Sequence, residues 1–510
     1  MAKILAFLPN SFTSNFVVVL DEIQQAINNK NEVIIVGCEG SINHCEMNLS
    51  GSKYICKSCS HCLKHSLKLL KGNYKYYSLN SFCKKEEIIT DIPVKEINTV
   101  NSIKELKTLK YKEFDVGYAV ASTYISITRN QNPLFSKDLK RFISYLYNDS
   151  IYIYNGSKVA IETLQPEKII IFNGRLHVNR PLVSLAEKFK IAIDILEVIG
   201  GKGNKPYEKV RFENYLPHSI ENNTTLINKN WENGDSEKEE KGREFFEYRK
   251  KGIVAGDRVY IGEQLKGLLP TGFDTQKKNI AVFISSDDEM AAIGKEWEWN
   301  FLGGDQLSAI NIILSLMESY KDYFFYIRVH PNLKNITYKY HTDYYSLENK
   351  HDNVNVISAD SQISSYALLD SCDKIITFGS SIGIEATYWR KPSILIGRTI
   401  YMNLDVTYNP TDEKSLVELL KDNNLAAKPF YNTLKYGYFV YGRKGEEFHC
   451  FDPNNLIQKP TWLNRNALLL NITPYRKFTI NSFYNFLRFS ISRLLNHLVL
   501  NKNIPTEETK

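Results

Sequence analysis

The chain lacks any run of the roughly 18 apolar residues that a bilayer-spanning helix needs. Met1–Pro9 is a short β-like run without a small-residue cleavage site, so no secretory leader is expected and a cytoplasmic location is. Charge of one sign is not in large excess: 64 Lys and Arg stand against 57 Asp and Glu, a net +7 over 510 residues. That balance fits a solvated surface, or a mild attraction to an anionic membrane face or anionic substrates. No dense basic–aromatic block occurs, so nucleic acid is not an expected partner. No repeat recurs at a solenoid period, which excludes a stacked-repeat architecture. In a reducing compartment the eight cysteines are expected as thiols or metal ligands and not as disulfides.

What is present is alternation. At 510 residues the chain exceeds one ordinary core, so two domains are expected. Strand-like runs at Lys3–Leu8 and Glu32–Gly37 flank a helical stretch near Val17–Asn29. Lys168–Phe172 and Ile191–Leu196 flank another near Arg180–Phe189. A second alternating series begins at Asn279, with strands at Ile280–Ile284, Tyr323–Val329, Val354–Ile357, Lys374–Phe378 and Ser393–Ile396. This β-α-β order predicts parallel sheets with crossover helices. The expected layout is an N-terminal Rossmann-like domain over 1–220, with a cysteine-rich insertion at 38–83. A connector over 221–278, a second Rossmann-like domain over 279–440 and a helical tail over 441–510 follow. A ligand is expected in the cleft between two facing sheets.

Two strand ends carry the chemistry. Arg328-Val329-His330-Pro331-Asn332 closes one strand. Phe378-Gly379-Ser380-Ser381-Ile382-Gly383-Ile384-Glu385-Ala386 closes another and opens a helix. Backbone N–H groups at a strand-to-helix turn, beside a cationic residue, suit a phosphate. Ser285-Ser286-Asp287-Asp288-Glu289 follows the first strand of the second series. Together these point to a nucleotide and to nucleotide-sugar chemistry.

These three motifs, with Ile171-Phe172-Asn173-Gly174-Arg175 and Glu197, resemble bacterial surface-polysaccharide glycosyltransferases of the GT-B type, the capsule Kdo transferases and sialyltransferase-like proteins among them. The resemblance covers roughly residues 165–410. It implies two Rossmann-like domains, a nucleotide-sugar donor held by the C-terminal one, an acceptor against the N-terminal one, and chemistry without a metal. It suggests donor contacts for His330 and Pro331 and, through the His-Pro and Ser-Ser pairs alone, a CMP donor; UDP and GDP donors stay open.

From the residues themselves, Arg328 offers a bidentate fork and His330 a hydrogen bond to phosphate, although Arg328 could instead face a carboxylate at the core edge. Gly379, Ser380 and Ser381 either bind phosphate or cap the helix. Glu385 either accepts from a sugar hydroxyl or partners the helix dipole. Ser285 and Ser286 could hold phosphate. Asp287, Asp288 and Glu289 are candidates for the general base, as is Glu197 beside Gly200-Gly201-Lys202-Gly203; the alternative for the triplet is capping and solvated charge. Asn173, Gly174 and Arg175 form the expected acceptor contacts.

Cys38, Cys45, Cys56 and Cys59, with Cys62 and three histidines nearby, read as a structural zinc site or as unliganded thiols. Cys83, Cys372 and Cys450 stand apart. In the tail, Phe483, Phe486, Leu487, Ile491, Leu494, Leu495 and Leu498 recur at helical spacing among Arg476, Lys477, Arg488 and Arg493. That helix would pack on the N-terminal domain or lie on a membrane where a lipid-linked glycan acceptor is met. The expected activity is glycosyl transfer to a growing surface polysaccharide. A nucleotide-sugar 2-epimerase and a non-catalytic glycan-binding or assembly protein are the alternatives.

Overall fold

Strands covered by helices on both faces read as unbroken apolar runs, and those runs supply the centre of each sheet here. The structure, a computed structural model, describes residues 1–11, 14–83, 95–199, 207–255, 259–443, 445–451 and Leu494. The Gly200–Gly203 loop and, Leu494 apart, the residues expected to form the tail helix lie outside the described residues.

The chain divides into two units. The first takes in the described residues of Met1–Gly201, Pro206–Pro217 and Gly445–Lys510, the second those of Lys202–Lys205 and His218–Lys444. Strands β1 (Lys3–Leu8), β2 (Glu32–Gly37), β3 (Lys75–Ser78), β4 (Lys168–Phe172), β5 (Ala192–Ile199) and β6 (Glu208–Glu213) form the sheet of the first unit. Their order is β3-β2-β1-β4-β5-β6. All pair in parallel except β5 with β6, an antiparallel hairpin at the edge. Sequence reading passes over β3 and β6, because Lys75-Tyr-Tyr-Ser and Glu208-Lys-Val-Arg-Phe-Glu are polar edge strands without an apolar run.

The second sheet contains β7 (Lys278–Phe283), β8 (Tyr323–Arg328), β9 (Val354–Ile357), β10 (Lys374–Thr377) and β11 (Ser393–Leu395), in the order β11-β10-β7-β8-β9 and wholly parallel. Each unit is therefore Rossmann-like, and the pair has the composition of the GT-B fold. In each, the strand order reverses beside the first strand: at β1/β4 in the first unit and at β7/β10 in the second. A doubly wound sheet opens its ligand crevice at such a switch point, beyond the carboxyl ends of the strands.

The stretch 221–278, expected as a connector, is instead largely built into the second unit. Helices Ile220–Glu232 and Lys238–Lys250 bury Ile227, Trp231, Phe245 and Phe246 against Tyr388, Tyr401 and Leu434. The polar composition of this stretch belongs to the outer faces of those helices, and four large side chains suffice to dock them.

The first unit is closed by a buried ion pair. Lys209 Nζ lies 2.7 Å from Asp21 Oδ2, both side chains being fully buried. Asp21 Oδ1 in turn accepts the backbone N–H groups of His449, Cys450 and Phe451 at 3.2, 2.6 and 2.9 Å. A charge on the helix Ser14–Asn28 thus fixes residues more than 420 positions away, after the chain has completed the second unit. Among the described residues no helix is long and apolar enough to cross a membrane.

Candidate functional site

The second unit has a cavity of ≈ 70 Å³ whose lining includes Arg249, Tyr260, Arg328, His330, Ser380 and Ser381. Ile284, Arg328 and Ser380 bring the ends of β7, β8 and β10 to it, at the switch point.

Arg328, the last residue of β8, is 1% exposed. Its guanidinium donates to the Ser358 carbonyl at 2.6 Å and the Ser361 carbonyl at 3.1 Å, while Nε is buried without a partner. No carboxylate pairs with it, so the core-edge carboxylate weighed from the sequence is replaced by two carbonyls of the loop after β9. Burial lowers its pKa to about 10, which leaves it charged at neutral pH. The cavity wall therefore carries a positive charge held by carbonyl dipoles, with the exposed Asp360 carboxylate only as a weaker, more distant influence.

His330 caps the short turn that follows. Its Nδ1 accepts the Asn332 N–H at 3.2 Å, which places the proton of the neutral ring on Nε2. Tyr260 packs edge-on against the ring with centroids 5.1 Å apart.

The turn after β10 is set by Gly379. Its φ is +129, and a Cβ there would stand 2.5 Å from the Arg398 carbonyl oxygen. Tyr401 donates its hydroxyl to the Ser380 carbonyl at 2.5 Å. The helix that follows, Ile382–Tyr388, has seven residues, so its dipole is a minor contribution and side chains carry the electrostatics. Ser381 Oγ donates to Glu385 Oε1 at 2.9 Å and accepts from Arg249 Nη2 at 2.9 Å. Glu385 also takes Arg249 Nε at 3.0 Å and the Tyr366 hydroxyl. Glu385 is 1% exposed and both its oxygens are occupied by protein groups. It therefore anchors the wall of the cavity from the first turn of its helix, the place of a dipole partner, and its oxygens are taken by protein groups and not left free for a sugar hydroxyl.

Ser285 is fixed through its backbone: Gln306 accepts its N–H at 2.7 Å and donates to its carbonyl at 3.2 Å. Its hydroxyl is buried without a partner. Ser286 Oγ donates to Asp288 Oδ1 at 2.7 Å, and Asn332 Nδ2 donates to Ser286 Oγ at 3.2 Å and to Glu289 Oε1 at 3.0 Å. Ser286, Asp288 and Glu289 thus staple the β7 loop to the turn carrying His330. Of the Asp287–Glu289 triplet, Asp288 is buried in this positioning task, whereas Glu289 takes its bond from Asn332 while exposed, as the solvated-charge alternative allowed.

In the first unit, Asn173, Arg175 and Glu197 come together. Asn173 Nδ2 donates to Glu197 Oε1 at 2.6 Å, and Asn173 Oδ1 accepts the Arg175 N–H at 3.0 Å. Arg175 reaches Ser126 Oγ at 2.8 Å. Glu197 lies within β5, which runs on to Ile199 because β6 pairs with it. Burial raises its carboxyl to about 7, against the smaller opposing effects of the Asn173 amide and the Arg175 charge. Gly174, expected to admit a ligand, has φ +73 and faces side chains of Leu216, Val183 and Ile195 at 3.0–3.2 Å from a virtual Cβ, so its role is the turn and the packing beneath it.

Arg249, Tyr260, Tyr366 and Gln306 are site residues that sequence reasoning passes over. Arg249 sits in the strongly charged helix Lys238–Lys250, 136 residues from its partner Glu385, and no local spacing signals that pairing.

The fold and site define a protein of two Rossmann-like α/β units with a cationic strand-end cavity in the second. Residues 302–441, the stretch bearing Arg328, His330, Ser380 and Ser381, match the model of the capsule polysaccharide biosynthesis protein family. Among solved structures, the β-Kdo 2,4 and 2,7 transferases of KpsC from Thermosulfurimonas dismutans are similar at 14% and 15% identity, over 54% and 55% of this chain and 79% of each of theirs, with TM-scores of 0.33 and 0.31. A UDP-GlcNAc 2-epimerase from Neisseria meningitidis bound to UDP-GlcNAc is similar at 14% identity over 89% of this chain and 98% of its own, with a TM-score of 0.25. No curated protein matches by sequence.

Proposed function

We propose that this chain is a glycosyltransferase of capsule or related surface-polysaccharide assembly, moving a sugar from a nucleotide-sugar donor to a growing, lipid-linked glycan at the inner membrane face. The observation that carries the reading is Arg328: a buried, charged guanidinium without a salt-bridged carboxylate, in a cavity at the strand ends where such sheets bind nucleotides. An anionic ligand supplies the missing counter-charge. The stretch matching the capsule-synthesis family includes this residue.

The charge balance favours a donor with one phosphate. Of the two guanidiniums lining the cavity, Arg249 is already salt-bridged to Glu385, whereas Arg328 is held by carbonyls and meets Asp360 only as a more distant charge. A CMP-sugar fits that count better than a diphosphate donor. In the reaction, Arg328, His330 and the Ser380–Ser381 turn stabilise the departing phosphate as its bond to the sugar breaks. Glu197, half deprotonated near neutrality, takes the proton of the attacking acceptor hydroxyl. The donor-side residues act by charge and hydrogen bonding, and Glu197 by proton transfer.

The test is a thermal-shift panel with CMP, UDP, GDP and their sugars on the wild type and on His330→Ala. Stabilisation by a cytidine nucleotide that is lost in the variant is the expected result. Stabilisation by a uridine or guanosine nucleotide instead overturns the donor assignment, and no shift with any of them overturns the nucleotide site. Conversion of a lone nucleotide sugar to its epimer, without acceptor, would replace transfer by epimerisation.

A further inference from the structure

The charges of this chain nearly balance overall but not along its length. Residues 47–85 contain eight lysines and no aspartate or glutamate, although 57 of the 510 residues are acidic. The helix Lys53–Leu67, the crossover between β2 and β3, carries the centre of this stretch. Its inner face buries Ile55, Leu63 and Leu67, and the two leucines join the core of the first sheet. Lys53, Lys57, His61, Lys64 and Lys68 recur every three or four residues, so they form one row along the opposite face. All five are exposed, as is Lys71 just beyond the helix. Tyr54, 72% exposed, and His65 flank the row.

Lys64 is matched by Glu39 at 2.7 Å. Among the described residues no carboxylate pairs with Lys53, Lys57, Lys68 or Lys71. Other exposed helices mix their signs: Lys414 faces Glu418 and Lys241 faces Glu237, each four residues apart, at 4.0 and 2.9 Å. Opposite charges at that spacing stabilise a solvated helix face, and like charges destabilise it. A row of unpaired lysines therefore costs the folded chain unless an anionic surface faces it. The flank of the same helix offers no alternative use for the row. Cys56 and Cys59 line a cavity there with Cys38 and Cys45. Among the described residues no group of three or more His, Cys, Asp or Glu could hold a metal ion, which favours the unliganded thiols over the zinc site weighed from the sequence.

We propose that this lysine row docks the first unit onto an anionic phospholipid surface. The outer face of a helix is convex and has no walls. It fits a flat sheet of charge, whereas a single small anion needs donors that converge on it. An exposed tyrosine beside the lysines suits the headgroup layer, which accepts both its ring and its hydroxyl. Each lysine brought near an acidic leaflet multiplies partition about fivefold. The inference rests on the part of the proposed function that places the chain at the inner membrane face, and it makes no use of the nucleotide cavity.

The test is co-sedimentation of the full chain with vesicles of phosphatidylcholine alone, and of phosphatidylglycerol and phosphatidylcholine in equal parts. Binding to the anionic vesicles alone, weakening as salt rises, is expected. Lys57→Gln/Lys68→Gln should bind about 25-fold more weakly, with the melting temperature and nucleotide response of the wild type. Lys339→Gln/Lys414→Gln removes the same charge from exposed lysines of the second unit and should bind like the wild type. If the first variant binds as the wild type does, or both weaken alike, the row is not the docking surface, although the membrane-face location stands. If the wild type ignores anionic vesicles, the row and that location both fall, and the nucleotide response still judges the transferase reading separately. Binding to soluble polygalacturonate in preference to vesicles, lost in the first variant, overturns the lipid surface in favour of an anionic glycan.

Discussion

Asn173 Nδ2 donates to Glu197 Oε1 at 2.6 Å, joining the turn after β4 to a carboxylate in β5. The amide fixes one oxygen of Glu197 and, with Arg175, restrains the upward effect of burial on its pKa, which settles at about 7. A carboxyl balanced there exchanges a proton at neutral pH, where an ordinary one does not.

The base form of Glu197 is the carboxylate, so transfer should rise with pH through about 7 and then level. Glu197→Gln should lose most turnover and this limb of the profile. Stability runs the other way. Because the folded-state pKa is raised, the protonated carboxyl's contribution is complete below about pH 4.3, the unfolded value, and is lost as pH rises through about 7. Unfolding midpoints measured from pH 5 to 9 should therefore fall more steeply in the wild type than in the variant. Parallel curves would show that Glu197 does not titrate in this range.

Arg328→Met removes a buried charge held by two carbonyls and not by a salt-bridged carboxylate. Nucleotide affinity should drop about 10- to 100-fold, the contribution of a charged hydrogen bond. Stability should change little, because the lost carbonyl contacts are offset by the end of the guanidinium's desolvation cost. Calorimetric titration and a melt on the same sample read both quantities; unchanged nucleotide binding would remove Arg328 from the site.

Arg249→Met should behave oppositely. It leaves Glu385 buried and uncompensated, at a cost of about 3–5 kcal/mol. Adding Glu385→Gln should recover part of that in urea unfolding. A single variant as stable as the wild type would mean that the ion pair does not hold this wall.

Gly379→Ala forces a side chain into a left-handed position and against the Arg398 carbonyl. Backbone strain of about 1–3 kcal/mol is the minimum expected, and the Ser380–Ser381 turn should shift with it. Circular dichroism melts should show the loss, and nucleotide stabilisation should fall in step.

Much of this protein was legible from its residues alone. Buried parallel strands must be apolar along their length, so Lys3–Leu8, Glu32–Gly37, Lys168–Phe172 and most of the second sheet announce themselves. The polar residues that end those strands, Arg328, His330 and Ser380, are brought to one cavity because parallel strands share an edge. Proximity across the chain was not legible. Whether Glu385 is a ligand contact or an anchor depends on Arg249, 136 residues earlier. The raised pKa of Glu197 depends on burial, which one-dimensional spacing does not encode. The sequence by itself determined which side chains stand at strand ends, since that follows from local apolar pattern and chain direction. Only the tertiary structure decided which of those charges are already neutralised by a partner, because electrostatic pairing depends on distance in space and not along the chain.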